Sequence, residues 1–374
     1  MTAYDALSSS RVSIWLDDLS RAALQSKGSD SLAAMIRDCN VVGVTTNPSI
    51  FAAALKDGDR YAPTIAQLCE DDAATAEDVA FALMIQDVQD ACDLLAPIYR
   101  DTNGKDGRVS IEVDPRLAHD TEATVEQARA LWHAVDRENL MVKIPATAAG
   151  LPAVRQAISE GISVNVTLIF SPDRYRAVID AYIEGLHDAA RNGLDIQQIR
   201  SVASLFISRT DSKVDPLLDE LAQAGSDEAK ELRGTTGIAV ARICYGAYEE
   251  AFSHPRFREL HSGRKQRPLW ASTGVKDERY PPTMYVTELV APNTVNTMPR
   301  ATLAAVGELT EIPADSVRPY VAQSMDVLHR IDQLGIELDT VYQELEDEGV
   351  EKFIASWNEL IEAVQTGMER ARTS

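Results

Sequence analysis

Short apolar runs rich in valine and isoleucine recur along the chain, and a stretch with helical spacing follows most of them. β-Branched residues in runs of this length favour strands, whereas apolar residues spaced three and four apart favour helices. The predicted strands cover residues 12–17, 41–47, 108–114, 140–147, 162–170, 201–208, 268–273 and 284–290. Strands that alternate with helices form parallel βαβ units, and eight such units predict an α/β fold of the (β/α)8 barrel type.

The intervening stretches and the end of the chain give the helices. Two helices are predicted within about 61–100, and one each over 121–135, 151–159, 173–191 and 230–252. Residues from about 316 to 374 are also predicted to be helical, with an apolar face that we expect to pack on the barrel rather than bind a partner. No Gly-x-Gly-x-x-Gly motif or P-loop follows a strand, which disfavours an open nucleotide-binding sheet. We expect a single barrel domain over 1–374.

Charge and cysteine content restrict the function further. The formal net charge of −22 disfavours nucleic acid and anionic membranes as partners, because the long-range field repels both. The four cysteines are scattered without a CxxC pair, which suits neither a zinc site nor a disulfide framework and indicates a reducing compartment. The first residues lack the pattern of a signal peptide, and no apolar run is long enough to span a bilayer.

One predicted strand, at 140–147, sets Lys143 inside an apolar run. Lysine is almost never fully buried without a partner or a function. Burial disfavours the ammonium form, and an uncharged amine can attack a carbonyl and form a Schiff base. The alternative is that Lys143 ends an edge strand and reaches solvent along its alkyl stem.

Other predicted strands also carry a polar residue near the carboxyl end, which is where the active site of a barrel lies. Each of these polar residues, taken alone, has an explanation that involves no chemistry. Asp17 and Asp114 can cap helices, Asn47 and Ser204 can bond loop backbone, and Glu112 can neutralise Lys143. Together they predict a polar cup with one amine and two carboxylates, which can divide acid and base roles. The full set is Asp17, Asn47, Glu112, Lys143, Asn165, Thr167, Ser204 and Ser272.

Two basic residues follow the later strands. Arg209 comes directly after the sixth strand and Lys276 soon after the seventh. Loops in this half of a barrel often hold phosphate, and a guanidinium binds phosphate through two parallel hydrogen bonds. Either residue could instead be a solvated surface charge.

Four segments resemble the transaldolase family, in its bacterial, actinobacterial-type branch: WLDDL at 15–19, GVTTNPSIF at 43–51, VKIPAT at 142–147 and NVTLIFS at 165–171. The resemblance runs from about residue 12 to the C-terminus. It implies a Schiff-base-forming transferase of the pentose phosphate pathway, located in the cytoplasm, with sugar phosphates as its small-molecule partners and neither a metal nor an organic cofactor. The oligomeric state is left as monomer or homodimer.

The resemblance also implies a role for each residue. Lys143 would form the Schiff base with C2 of a ketose phosphate such as sedoheptulose 7-phosphate. Asp17 would take the C4 hydroxyl proton, and Glu112 with Thr167 would hold a water for proton transfers. The remaining residues would bind the substrate's hydroxyls and phosphate: Asn47, Asn165, Ser204, Arg209, Ser272 and Lys276.

The sequence departs from the family after the seventh strand. Many transaldolases have an arginine where this chain has Gly274, and Lys276 is the candidate replacement. Two alternative functions are a fructose 6-phosphate aldolase, which releases free dihydroxyacetone, and a non-catalytic sugar-phosphate-binding barrel. Those aldolases are shorter and do not keep a glutamate at the position matching Glu112, so the resemblance favours the transferase.

Overall fold

The computed structural model describes residues 2–55 and 58–373. Eight parallel strands in this part of the chain close into a barrel in sequence order. They are β1 (Val12–Asp17), β2 (Val41–Thr45), β3 (Arg108–Glu112), β4 (Leu140–Pro145), β5 (Val164–Ile169), β6 (Ser201–Phe206), β7 (Arg267–Ala271) and β8 (Thr294–Met298). The predicted (β/α)8 barrel is confirmed.

Helices surround the barrel and fill its connections. In chain order they are α1 (Ala3–Ser9), α2 (Arg21–Gln25), α3 (Leu32–Asp38), α4 (Pro48–Leu55), α5 (Ala62–Leu68), α6 (Ala76–Asp101), α7 (Thr121–Val135), α8 (Gly150–Ser159), α9 (Pro172–Arg191), α10 (Ile207–Gln223), α11 (Asp227–Leu232), α12 (Thr236–Ala251), α13 (Pro255–Arg258), α14 (Met284–Thr287), α15 (Arg300–Gly307), α16 (Val321–Gln333) and α17 (Leu338–Thr373). Short 3₁₀ turns occupy Gly58–Arg60, Pro115–Leu117 and Arg318–Tyr320.

Local sequence fixes where several helices begin. The Thr75 hydroxyl accepts a hydrogen bond from the Asp78 amide, and the Asp78 carboxylate accepts one from the Thr75 amide, which forms a capping box at the start of α6. At the start of α9 the Ser171 hydroxyl accepts a hydrogen bond from the Arg174 amide, and Pro172 stands at the first helical position. The cap of α9 places this helix directly after β5, with a short connection at the mouth of the barrel.

The prediction of the eighth strand is wrong. Residues 284–290 are apolar because α14 and the turn after it pack into the core, where Val286 and Leu289 are buried. The true strand, β8, lies later and pairs with both β1 and β7. The single helix predicted over 230–252 is also divided, into α11 and α12. Gly234 lies between them with φ of +73°, a conformation that glycine adopts without steric cost.

The C-terminal helix α17 packs across the outside and the mouth of the barrel. It contacts α4, α5, α6, α10 and β5. Its buried side chains include Trp357, whose ring lies 4.9 Å from that of Phe81 on α6. This packing agrees with the expectation for the C-terminal helices, whereas the single domain over 1–374 stays a prediction. Among the described residues, no helix is both long and apolar enough to cross a membrane.

Candidate active site

A cavity of about 590 Å³ opens at the carboxyl ends of the strands. Glu112 and Asn165 lie below its floor, in hydrogen-bonding contact with Lys143 and Ser204. The other site residues predicted from the sequence line the cavity itself, so the barrel brings the whole predicted set together. These lining residues are Asp17, Asn47, Lys143, Thr167, Ser204, Arg209, Ser272 and Lys276.

Lys143 stands at the centre of this set. The strand register pairs Glu112 of β3 with Lys143 of β4, and Lys143 with Asn165 of β5. Because β4 lies between two strands, the edge-strand alternative is wrong, and Lys143 is only 4% exposed. Its amine donates hydrogen bonds to Glu112 Oε2 at 3.0 Å and to the Thr46 carbonyl oxygen at 2.8 Å. The amine is therefore held in place, buried and beside the cavity.

The two carboxylates near the amine have different surroundings. Burial raises the pKa of Glu112, and the charge of Lys143 only partly offsets that effect. Burial also raises the pKa of Asp17, which interacts with Lys143 and accepts a hydrogen bond from the Thr45 hydroxyl at 2.8 Å. Asp17 lines the cavity, whereas Glu112 lies beneath the amine. Each carboxylate can thus exchange a proton at a different point around one nitrogen.

Amide and hydroxyl groups occupy the next positions around the barrel. Ser204 donates to Asn165 Oδ1 at 2.6 Å, and the Asn165 amide nitrogen donates to Ser110 Oγ at 3.1 Å. Asn47 accepts a hydrogen bond from the Ile50 amide at 3.0 Å through its side-chain oxygen. Asn47 therefore bonds the loop backbone as expected, but this bond uses only its side-chain oxygen, and the residue also lines the cavity.

Backbone conformations outside the usual regions accompany two of the hydroxyl residues. Leu168, next to Thr167, has φ of +58°, and the register between β5 and β6 shifts there. Ser272 has φ of +53°, and its hydroxyl lies 2.9 Å from that of Ser208. The buried Thr167 hydroxyl has no hydrogen-bond partner among the described residues. Such strained positions cluster at functional sites, where they direct a side chain or backbone group towards a ligand.

The two predicted phosphate-binding cations lie on one side of the mouth. The Arg209 guanidinium stacks 5.0 Å from the Phe206 ring and 5.7 Å from the Phe353 ring. Burial lowers the pKa of Arg209. Lys276 Nζ lies 3.8 Å from the position that a Cβ atom on Gly274 would take. The lysine ammonium thus lies beside the glycine for which we expected it to compensate.

Asp114 lies outside the site, and the cavity has lining residues that the sequence did not predict. Asp114 accepts a hydrogen bond from the Arg116 amide at 2.9 Å and forms an ion pair with the Arg116 side chain, so its interpretation as a cap is correct. Sequence reasoning missed several residues that line the cavity. They are Asp18, which pairs with Arg300, together with Thr45, Arg60, Tyr61, Thr297, Lys352 and Phe353. The WLDDL motif included Asp18, but nothing in the local sequence distinguished Lys352 from other helical lysines.

This barrel carries a buried amine near two carboxylates at its carboxyl end, which defines an enzyme site suited to carbonyl chemistry. The family profile described as "Transaldolase/Fructose-6-phosphate aldolase" matches residues 14–364. The chain is 53% identical over 372 residues to "Transaldolase" of Mycolicibacterium smegmatis, covering 98% of each chain. It is 52% identical over 360 residues to "Transaldolase" of Thermobifida fusca, covering 96% of each. "Transaldolase 2" of Streptomyces coelicolor is 52% identical over 374 residues, which covers 100% of this chain and 99% of that relative. The chain belongs to the transaldolase/fructose-6-phosphate aldolase family of enzymes.

Proposed function

We propose that this chain is a transaldolase of the pentose phosphate pathway. It transfers a dihydroxyacetone unit from sedoheptulose 7-phosphate to glyceraldehyde 3-phosphate, giving erythrose 4-phosphate and fructose 6-phosphate. The observation that carries the proposal is the buried Lys143 amine at the cavity, which donates to Glu112 and interacts electrostatically with Asp17. Full-length similarity to relatives named transaldolase supports the transferase over the aldolase.

The first half of the reaction joins the substrate to Lys143. The amine gives up its extra proton to a neighbouring carboxylate and attacks C2 of the ketose, forming a carbinolamine. Loss of water from this carbinolamine requires a proton donor, and the raised pKa of Glu112 suits that role. The Thr167 hydroxyl, which lacks a protein partner among the described residues, is available to hold the water through which the proton passes.

Cleavage of the C3–C4 bond follows. Asp17 takes the C4 hydroxyl proton, the aldehyde leaves as erythrose 4-phosphate, and the electron pair of the broken bond moves into the protonated imine. Because the imine delocalises this charge as an enamine, the three-carbon unit stays on Lys143. Its addition to glyceraldehyde 3-phosphate then reverses these steps. Thr45 orients Asp17 for both directions through the 2.8 Å hydrogen bond.

The remaining polar residues bind the substrate. Asn47, Asn165 and Ser204 hold the hydroxyl groups of the dihydroxyacetone unit. Arg209, Ser272 and Lys276 hold the phosphate at the mouth, where a dianion meets cations. Cys39, Cys69, Cys92 and Cys244 are all free thiols, as a cytoplasmic location requires, and we place the enzyme there.

Borohydride trapping tests the proposal. Fructose 6-phosphate is mixed with the protein, borohydride is added, and the digested protein is mapped by mass spectrometry. We expect a reduced three-carbon adduct on the peptide that carries Lys143 and on no other lysine. Lys143→Met is the control, since its side chain keeps similar volume without the amine, and it should show neither adduct nor turnover. An adduct elsewhere, or activity of Lys143→Met within about tenfold of the wild type, contradicts the proposal.

Transferase and aldolase activities are separated by omitting the acceptor aldehyde. A transaldolase retains the three-carbon unit on the enzyme, so free dihydroxyacetone should stay near the background level while one equivalent of glyceraldehyde 3-phosphate forms from fructose 6-phosphate. Multiple turnovers to free dihydroxyacetone would assign the chain to the lyase activity instead.

A further inference from the structure

Three cationic side chains converge on one side of the cavity mouth, and they come from three separate parts of the chain. Arg209 is on α10, Lys276 follows β7, and Lys352 is on α17. None of the three forms an ion pair or hydrogen bond with another described residue, although the chain carries a net charge of −22. Arg209 interacts electrostatically with Glu112, Asp17 and Glu348, but no carboxylate in the described part of the chain forms a direct ion pair with any of the three cations. Like charges repel at short range, so three cations without a paired carboxylate favour an anionic ligand.

The helix α17 builds this part of the wall. A Cβ atom on Gly349 would lie 3.5 Å from an Arg209 guanidinium nitrogen, so the glycine lets the guanidinium lie against the helix. Phe353, one turn later, covers the same guanidinium from another side. Lys352 lies between these two positions in sequence and lines the same cavity as Arg209. The helix therefore holds Arg209 and presents a cation of its own.

Glu348, the acidic residue one turn before Lys352 on α17, pairs with a different lysine. Lys213 forms ion pairs with Glu344 at 2.9 Å and with Glu348 at 2.7 Å. The charge of Arg209, followed by burial and the charge of Lys276, lowers the pKa of Lys352. The two neighbouring cations are thus the main groups that Lys352 faces, and an anion between them would relieve the repulsion.

We propose that Lys352 is a third ligand of the substrate's phosphate group, supplied by the C-terminal helix. This inference rests on the proposed transaldolase function. Gly274 leaves the site without a second guanidinium fork, and Lys276 alone replaces it with a single point charge. Lys352 adds the second point charge, so that Arg209, Lys276 and Lys352 surround a phosphate dianion from three elements.

Acceptor kinetics of Lys352→Met test the role of the charge, because methionine keeps most of the stem. With sedoheptulose 7-phosphate as a saturating donor, we expect the KM for glyceraldehyde 3-phosphate to rise about tenfold, as for the loss of one charged contact. The kcat and the KM for unphosphorylated glyceraldehyde should not change. Lys352→Arg should restore the low KM, and the difference between variants should shrink as salt concentration rises.

Lys230→Ala is the matched control for net charge, since Lys230 lies on α11, is exposed and pairs with Asp227. It should leave both KM values unchanged. Inorganic phosphate serves as a direct probe, and its inhibition constant should rise in Lys352→Met but not in Lys230→Ala. An unchanged KM for the phosphorylated acceptor, or an equal rise for both acceptors, overturns the inference.

Borohydride trapping separates this inference from the function on which it rests. If the wild type and Lys352→Met both form the Lys143 adduct but differ in no phosphate-dependent constant, only the role of Lys352 fails. If the wild type forms no adduct, the proposed function fails as well.

Discussion

At the residue scale, the contact between Lys143 and Glu112 is costly for stability and useful for chemistry. Removing two charges from water costs several kcal/mol per ion, and a buried pair regains this only with good geometry and further hydrogen bonds. Here the Thr46 carbonyl supplies a second acceptor for the amine. Burial also raises the pKa of both Glu112 and Asp17, which brings these carboxyl groups closer to the range where proton transfer at neutral pH is efficient.

Replacing Asp17 with asparagine separates Schiff-base formation from bond cleavage. The amide keeps the size of the side chain but cannot take the C4 hydroxyl proton, so we expect cleavage to slow by about 10²–10⁴-fold. The adduct should still form and should now retain the whole sugar. Single-turnover release of erythrose 4-phosphate from sedoheptulose 7-phosphate and the mass of the trapped adduct measure the two steps.

Asp18→Asn is the matched control for Asp17→Asn, because Asp18 lines the same cavity but pairs with Arg300. It should affect cleavage far less. Loss of the adduct in Asp17→Asn would contradict the assignment of Asp17 to cleavage.

At the element scale, the sequence predicted the strands that carry the site more accurately than the eighth strand. The first seven predicted strands overlap β1 to β7, and their polar ends gave the site residues. The apolar pattern failed to identify β8, because this strand contains polar groups. The Asn296 amide donates to the Tyr285 carbonyl oxygen, and the Thr297 hydroxyl oxygen lies 2.6 Å from the Thr45 hydroxyl oxygen. Lys352 and Phe353 could not be predicted because α17 reaches the mouth only through long-range packing.

The helices after β6 contain a carboxyl group whose ionisation should affect stability. Asp211 of α10 accepts hydrogen bonds from the Gly237 amide of α12 at 2.7 Å and the Tyr285 hydroxyl of α14 at 2.8 Å. Burial raises the pKa of Asp211 from 3.8 to about 7. Between these values the folded state binds a proton that the unfolded state does not. The free energy of unfolding should therefore fall as pH rises through this window.

Asp211→Asn removes this titration. We expect the stability of the wild type relative to the variant to decrease by a few kcal/mol between about pH 4 and pH 7, since each pKa unit corresponds to about 1.4 kcal/mol. Urea unfolding at a series of pH values measures the difference. Asp227→Asn, at an exposed position on α11, makes the same chemical change and should give a flat difference. A wild-type advantage that grows with pH would refute the prediction.

At the scale of the whole molecule, the two ends of the barrel serve different purposes. The carboxyl end is open and holds polar groups that form no ion pair or hydrogen bond within the described part of the chain, including the side chains of Arg209 and Lys276 and the Thr167 hydroxyl. The amino end is closed by a buried polar cluster in which Arg267 donates to Asp106 at 2.9 Å and to the Thr294 carbonyl at 2.9 Å. This cluster links segments distant in sequence, and it leaves function to the opposite end.

Asp106 should therefore be important for stability but not for catalysis. It accepts hydrogen bonds from Ser13 of β1 at 2.9 Å and from Arg267 of β7, so its loss leaves a buried guanidinium without a counter-ion. We expect Asp106→Ala to lower the free energy of unfolding by about 3–5 kcal/mol in urea titrations.

Asp93→Ala is the control, because it breaks an exposed ion pair with Arg137, and it should lower the free energy of unfolding by at most about 1 kcal/mol. Folded Asp106→Ala should still form the Lys143 adduct with wild-type kcat. Equal stability losses in the two variants would mean that this cluster does not stabilise the closed barrel.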